Sequence, residues 1–407
     1  MTPVAGPSSS AAPVPTSRHD GHGHGHSHGS SGLPDVPVGP RARAVVYGSL
    51  LVALVVTVIG LIVLWPRGEL PVLQTAPDGA SYQRMTVTAV DPDSADATIS
   101  AEDGAGTTVT VQLGAEYLDV LHPGDAIRVL VLDPTLTGGT PTAIFVDLVR
   151  GPPMLLMALV LGVLVLVVAR LRGLGALLGL AVSVVGVLWF TVPALAEGRP
   201  ALAVALVTSA ALMFVLLYLA HGVSLRTSTA LLGTLGGLLA TGLLAAWATG
   251  ATHLTGLSGE NALDLRQLAP EANLRGILLC GIVLAGLGVL NDVTITQAAA
   301  VWEMRALSPA AARWDLFRGG MRVGRDHIAS TVYTVAFAYL GAALPLVMLV
   351  AMSDRTLLDT LTSGEIAEEI VRTLVGSIGL VLAIPLTTAV AAVLVPGPQR
   401  AEVPAVG

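Results

Sequence analysis

The feature that most constrains this chain is the nearly unbroken series of apolar segments that follows Pro153. Each segment is long enough, at about 1.5 Å of rise per helical residue, to cross a hydrocarbon core about 30 Å thick. An earlier run from Ala44 to Trp65 meets the same criterion. The sequence therefore predicts a polytopic α-helical membrane protein with eight transmembrane helices. The seven later spans are predicted at about 154–170, 174–195, 201–220, 228–248, 276–297, 329–351 and 373–395.

The composition agrees with a membrane protein and excludes two other classes. Only 12% of the residues are charged and 53% are hydrophobic, whereas soluble proteins carry about 25% charged residues. The net charge of -7 argues against a nucleic-acid partner, because such proteins need a basic surface to displace counterions from phosphates. The single cysteine, Cys280, excludes a disulfide framework within the chain.

The first 40 residues, rich in Pro, Ser, Gly and Ala, are predicted to be disordered because they cannot bury a core. Apolar character begins only near Ala44, which favours a retained first helix over a cleaved signal peptide. Five histidines in this tail predict weak zinc or nickel binding, although a passive tail is the alternative. No other cofactor is expected. The five residues are His19, His22, His24, His26 and His28.

Residues 67–150 differ in composition from the rest, with turn residues and a two-residue alternation of apolar and polar side chains. This pattern predicts a β domain of five strands, with a short helical segment at Ala115–Leu121 between the third and fourth. That order is typical of an OB-like barrel. The domain has more acidic residues than arginines, which argues against nucleic-acid binding. The predicted strands are Gln83–Val90, Ala95–Ala101, Thr107–Leu113, Ala126–Leu132 and Thr142–Val149.

The arginines of the short loops predict the orientation. Arg170, Arg172, Arg226 and the five arginines of 299–327 all fall on one side if the spans alternate. By the positive-inside rule that side is cytoplasmic. The sequence thus predicts a plasma-membrane protein with both termini, including the tail at 397–407, in the cytoplasm and the β domain outside.

The sixth predicted span, 276–297, carries the most informative polar cluster. A carboxylate within a span costs at least about 2.5 kcal/mol, so Asp292 should face a partner, a cavity or an ion pathway. Asp292 and Thr296 share one helix face, and Asn291 and Thr294 share the adjacent face. The alternative is that Asp292, about 8 Å from the predicted helix end, reaches back to the membrane surface. The candidates for a polar pathway here are Asn291, Asp292, Thr294, Thr296 and Gln297.

The seventh predicted span begins near a second polar stripe. Because a loop joins it to the sixth span, His327 is expected to approach Asp292, and its ordinary pKa of about 6.5 suits proton transfer. Asp326 has a competing interpretation as a helix N-cap. The further pathway candidates are Asp326, His327, Ser330, Thr331 and Thr334.

The segment between these spans, 303–324, mixes apolar residues with arginines at helical spacing. It is predicted to be a helix lying on the anionic inner leaflet, with a simple positive-inside anchor as the alternative. The pairs Gly175/Gly179 and Gly233/Gly237 have the four-residue spacing that permits close helix packing.

Four sequence stretches resemble the YibE/F-like family of bacterial multi-pass membrane proteins. They lie within 221–228, 288–297, 324–330 and 368–377. The resemblance covers about 150–395 and implies a membrane protein of unassigned activity. The family usually has two consecutive aspartates where this chain has Asn291-Asp292. If both carboxylates bind a cation in the family, the resemblance implies weaker cation binding here.

Together these features predict a protein that moves a small ion or solute through a polar pathway near Asp292 and His327. The alternative is a non-transporting scaffold or regulatory subunit that binds a partner through the β domain, and a homo-oligomer fits either function. No enzymatic activity is expected, since the sequence lacks the usual hydrolase, metalloprotease and nucleotide-binding motifs.

Overall fold

The computed structural model describes residues 38–68, 70, 76–90, 98–133, 142–259, 261–354 and 356–398. The His-rich tail and the C-terminal residues 399–407 lie outside this part of the chain. The predicted zinc or nickel binding by His19, His22, His24, His26 and His28 therefore stays a prediction.

Helices account for most of the described chain, and local signals fix several of their starts. Ser224 and Asn273 cap two of them by accepting the backbone N–H groups of Thr227 and Gly276, each at 3.1 Å. The helices are α1 (Pro40–Leu64), α2 (Gly151–Gly186), α3 (Val192–Ala196), α4 (Ala201–His221), α5 (Leu225–Ala251), α6 (Ala262–Leu268), α7 (Leu274–Leu307), α8 (Arg313–Ala342), α9 (Leu344–Ala351), α10 (Leu357–Leu361) and α11 (Gly364–Leu394).

Six helical runs among the described residues are long and apolar enough to span a membrane, and α8 with α9 forms a seventh candidate that bends by 70°. One of the six, the 46-residue run Gly151–Ala196, includes a π-helical turn between α2 and α3. It is broken at Arg170, which has a φ of 53° and a ψ of -130°. A Cβ on Gly173 would overlap the carbonyl of Val165, a residue that would be about 12 Å away in a straight helix. The chain therefore turns sharply at Arg170.

The structure corrects the predicted helix limits on either side of the loop between α7 and α8. Helix α7 continues ten residues beyond 297, and α8 begins at Arg313 rather than near 329. The prediction of a separate surface-lying helix at 303–324 is therefore wrong. Part of its apolar surface is instead covered by the end of α11: Leu316 lies with Val301 and Val395 in one buried cluster.

The bundle core is formed mainly by α5, α7 and α11, which share the most extensive helix contacts. Small residues let these helices approach, as expected where lipid supplies no hydrophobic driving force. A side chain at Gly233 would overlap Thr387 of α11, and one at Gly237 would meet Ala383 at 3.0 Å. Gly175 and Gly179 face α4 in the same manner.

The β domain is a small closed barrel of five strands, as predicted from the alternation. Its strand order is β1-β2-β3-β5-β4, in which β1 pairs with both β2 and β4 and the β3–β5 pair is parallel. A 3-10 turn at Ala115–Tyr117 lies between β3 and β4. The strands are β1 (Ala80–Val90), β2 (Thr98–Glu102), β3 (Thr108–Gln112), β4 (Ala126–Leu132) and β5 (Thr142–Leu148). The predicted start of the second strand, 95–97, lies outside the described residues.

The bundle has two distinguishable ends. At the barrel end, Glu197 accepts hydrogen bonds from the backbone N–H groups of Arg67 and Gly68, at 2.6 and 2.5 Å. The bond from Gly68, with those from Arg67 and Arg199, holds the pKa of Glu197 below its usual value. The opposite end contains the α4–α5 turn, the α7–α8 loop and the last turn of α11, and we call it the Arg-rich end.

Candidate functional site

The structure brings Asp292 and His327 together across two helices. Asp292 lies on α7 fifteen residues before its last residue, and His327 lies on α8 fourteen residues after its first. Because a short loop joins these antiparallel helices, residues equally far from the loop face each other. The distance between His327 Nε2 and Asp292 Oδ2 is 3.9 Å.

The pair lies far from either end of the bundle. Fifteen residues separate Asp292 from the end of α7, which corresponds to about 22 Å. Thr294 contacts Thr234, and Thr234 is nine residues from the start of α5, or about 14 Å. The predicted distance of about 8 Å between Asp292 and the helix end was too short, because α7 continues past 297. The alternative interpretation, in which the Asp292 side chain reaches back to the membrane surface, stays a prediction.

The two members of the pair differ in exposure. The Asp292 side chain is 71% exposed on the outside of α7, whereas that of His327 is 24% exposed. Two nearby polar atoms, Asn291 Oδ1 and His327 Nε2, are buried and have no hydrogen-bond partner among the described residues. The Asp292 carboxylate and the His327 imidazole, 3.9 Å apart, offer oxygen and nitrogen atoms suited to a small cation or a proton.

Thr294 and Gln297 occupy a different environment, because both are completely buried between helices. Thr294 Oγ1 lies 2.5 Å from Thr234 Oγ1. Thr388 of α11 donates its hydroxyl to the Ile384 carbonyl at 2.7 Å, so it is best satisfied by accepting from the Gln297 amide nitrogen at 3.0 Å. These contacts tie α5, α7 and α11 together.

In that amide orientation Gln297 also contacts the backbone of α8. Its nitrogen donates to the Gly320 carbonyl at 3.0 Å, and its oxygen accepts from the Gly324 N–H at 3.2 Å. Residues 320 and 324 are the two partners of one helical hydrogen bond. The Gln297 amide therefore reinforces α8 at the turn before His327, where the two glycines leave room for it.

The remaining candidates lie along the outer surfaces of α7 and α8. The hydroxyls of Thr296, Ser330, Thr331 and Thr334 each donate to a carbonyl one turn earlier on their own helix, so the structure does not gather them into a buried site. Asp326 is exposed in the middle of α8. Its interpretation as a helix cap is wrong, because the N-cap of α8 is Ala312.

A comparison with protein families gives this arrangement a context. The model of the family described as YibE/F-like protein matches residues 157–397, which is more than half of the chain. The chain belongs to the YibE/F-like family. No curated protein and no solved structure matches it.

This YibE/F-like protein also carries a charged cluster that the sequence analysis left without a role. The predicted eighth span began at 373, but α11 begins at Gly364, which places Glu368, Glu369 and Arg372 on the helix. Arg372 Nη1 lies 2.5 Å from Glu369 Oε1. Glu368 Oε1 and Arg372 Nε are buried without a partner within the described chain. The sequence could have indicated this ion pair, because Glu369 and Arg372 are three residues apart and directly precede an apolar run.

A cavity of about 670 Å³ lies near this cluster at the barrel end. Ser258, Thr360 and Glu365 are among its polar lining residues, and α9 supplies an apolar wall. Within the described part of this YibE/F-like protein, no three His, Cys, Asp or Glu residues form a group that could hold a metal ion.

Proposed function

We propose that this protein moves a small cation, or protons, across the membrane along the outer face of α7 and α8, with Asp292 as the binding carboxylate. The observation that carries the proposal is the 71% exposure of the Asp292 side chain halfway along the bundle. At that depth the surrounding medium is lipid, a water-filled groove or another protein chain.

Energetics favour a polar surrounding over lipid. An aspartate at the centre of a transmembrane helix costs about 2.5–3.5 kcal/mol even on insertion scales, and such residues mark ion or proton pathways. His327 supplies an imidazole whose Nε2 lies 3.9 Å from Asp292 Oδ2, and an imidazole can take up or release a proton. A proton or cation held between the carboxylate and the imidazole would reduce the cost of both.

The exposed face of α7 supports a route past this pair. Gly281 and Gly288 lie three turns and one turn before Asp292, respectively, on the same side of the helix, and no atom lies within 4 Å of a Cβ built at either glycine. Further toward the barrel end, Glu368 and Arg372 of α11 provide charged groups next to the 670 Å³ cavity. We propose that the ion passes between these two polar regions.

We propose eight membrane crossings, with the Arg-rich end in the cytoplasm of a plasma-membrane protein. The run Gly151–Ala196 would be about 69 Å long if straight, which is more than twice the hydrocarbon thickness. Its break at Arg170 divides it into two crossings, and α8 with α9 supplies another. The arginines at 41, 43, 170, 172, 226 and 305–325 then share the cytoplasmic side.

We also propose that the barrel is OB-like. The order β1-β2-β3-β5-β4 and the turn of helix between β3 and β4 support this. The alternative function, a scaffold that binds a partner through this domain, needs no polar route in the bundle. We propose neither enzymatic activity nor a resident cofactor.

Ion flux into liposomes containing the purified protein tests the proposal. Wild type, Asp292→Asn and the matched control Asp315→Asn, which changes an exposed carboxylate in the first turn of α8, are compared for protons and for mono- and divalent cations. The Asn substitution preserves shape and removes the charge, so we expect Asp292→Asn to abolish flux and Asp315→Asn to retain it. If wild type shows flux and Asp292→Asn retains it, the assignment of Asp292 is wrong. If wild type conducts no tested ion, the scaffold function is favoured.

A further inference from the structure

Arg305, in the last turn of α7, is buried and only partly hydrogen-bonded. Its residue surface is 2% exposed. The Nη1 group donates to the carbonyls of Pro309 and Ala311, both at 2.9 Å. Nε and Nη2 are buried and have no partner among the described residues. One side of the guanidinium is thus hydrogen-bonded, and the side formed by Nε and Nη2 is not.

A structural role for Arg305 explains only the hydrogen bonds of its Nη1 group. An arginine near a helix C-terminus interacts favourably with the helix dipole and can bond the last carbonyls and the following loop, and Nη1 does this. A buried cation without a counter-charge, however, costs several kcal/mol. Within the described chain no carboxylate forms an ion pair with Arg305, and its charged neighbour is another arginine, Arg313.

The unused side has the geometry that binds oxyanions. Nε and one terminal nitrogen of a guanidinium form a planar fork that matches two oxygens of a phosphate or carboxylate. Trp302 lies three residues earlier on the same face of α7. Its Nε1 is also a buried donor without a partner among the described residues. The unpaired atoms of Arg305 and Trp302 are all hydrogen-bond donors, and Arg305 carries a positive charge. This combination indicates an anionic ligand.

The surface beside this site resembles a membrane interface. Trp314 is 59% exposed and Leu307 is 76% exposed. The rings of Trp314 and Phe317 stack at 5.1 Å, and the Arg318 guanidinium lies 5.3 Å above the Trp314 ring. Exposed aromatic residues beside arginines are typical of the headgroup level.

We propose that Arg305 and Trp302 form a binding site for a phosphate group, supplied by a phospholipid headgroup or by free phosphate. The phosphate would accept hydrogen bonds from Arg305 Nε and Nη2 and from Trp302 Nε1. Binding would order the α7–α8 loop, which Arg305 holds from its other side, and would neutralise the buried charge.

Thermal stabilisation of the purified full-length protein in an uncharged, phosphate-free detergent tests this site. Phosphatidylglycerol and inorganic phosphate are titrated separately into wild type, Arg305→Gln, Trp302→Phe and the control Arg322→Gln, which removes an exposed arginine of the same end. Loss of a hydrogen bond to a charged group should weaken binding about tenfold or more in the first two variants, and Arg322→Gln should bind as wild type does.

The two titrations distinguish the sources. Stabilisation by phosphatidylglycerol alone assigns the site to a lipid headgroup, and stabilisation by inorganic phosphate assigns it to the phosphate group itself. The Trp302→Phe variant keeps an aromatic side chain and removes the indole N–H, so it reports on binding even if Arg305→Gln fails to fold. The proposal is overturned if neither probe stabilises wild type, or if Trp302→Phe binds both probes as tightly as wild type.

Discussion

Gln297 shows how one residue can connect several helices. Its amide bonds Thr388 of α11 and two backbone groups of α8, at Gly320 and Gly324. Because all of these groups are buried, water cannot replace the amide. Gln297, a polar residue at a predicted helix end, is therefore part of the packed interior.

We expect Gln297→Leu, which keeps the approximate volume, to lower the stability of the bundle by about 1–3 kcal/mol, the cost of leaving buried polar groups unpaired. Thr388→Val is the matched control, since it removes only one partner of the amide, and it should cost less. The measurement is the thermal unfolding midpoint in detergent. Equal midpoints for Gln297→Leu and wild type would show that the amide contacts contribute nothing.

For individual residues, the sequence predicted which side chains approach each other better than it predicted which side chains are buried. The spacing across the sixth loop was sufficient to expect that His327 approaches Asp292, and the two side chains lie 3.9 Å apart. The burial of Gln297 was not predictable, because it depends on α11, whose contacts with α7 are not visible in the local pattern.

Among the elements, the glycines of α5 and α7 have different surroundings although both helices are apolar. Gly233 of α5 packs directly on Thr387 of α11, whereas no atom lies within 4 Å of a Cβ at Gly281 of α7. The same substitution at these two positions should therefore change the stability of the protein differently.

We expect Gly233→Ala to destabilise the protein by about 1–3 kcal/mol, because the added methyl forces α5 and α11 apart. Gly281→Ala should be neutral or stabilise by up to about 1 kcal/mol, since alanine is the better helix former and has room. Thermal unfolding of both variants checks this. A similar loss in both would mean that helix contact at Gly233 is not the cause.

The ends of secondary-structure elements were predictable where turn-forming residues mark them. They were not predictable where a helix continues from an apolar into a polar segment. The five strands lie within a few residues of their predicted positions, because Gly, Pro and Asp residues mark their ends. Helices α7, α8 and α11 all extend beyond their apolar segments. The polar turns of α7 and α8 pack on each other and on the last turns of α11, so a criterion based on membrane hydropathy ends these two helices too early.

For the whole molecule, the proposed eight crossings predict which sites face the same side. Single cysteines replace Ala105 in the barrel, Leu171 beside the break in α2, and Ser308 in the α7–α8 loop, in a chain whose Cys280 is replaced by alanine. We expect Leu171→Cys and Ser308→Cys to react with an impermeant thiol reagent only from the cytoplasmic side, and Ala105→Cys only from the outside.

The Leu171 position decides the number of crossings. If Gly151–Ala196 crossed the membrane once, residue 171 would lie near its middle and would be protected from an impermeant reagent on both sides. Protection of Leu171→Cys, with the other two labels as expected, would contradict eight crossings and leave the orientation intact.

The central claim is that the outer face of α7 at Asp292 borders water rather than lipid. It is tested most directly by the reactivity of a cysteine at Gly288, one turn from Asp292 on the same face, where a side chain fits without contact. Leu239→Cys on α5 is the control: Leu239 is 52% exposed, and the Thr234–Thr294 contact places it at a similar depth. With a charged, water-soluble methanethiosulfonate on membrane vesicles, the account predicts fast modification of Gly288→Cys and little of Leu239→Cys. Equal, slow modification of both would contradict it.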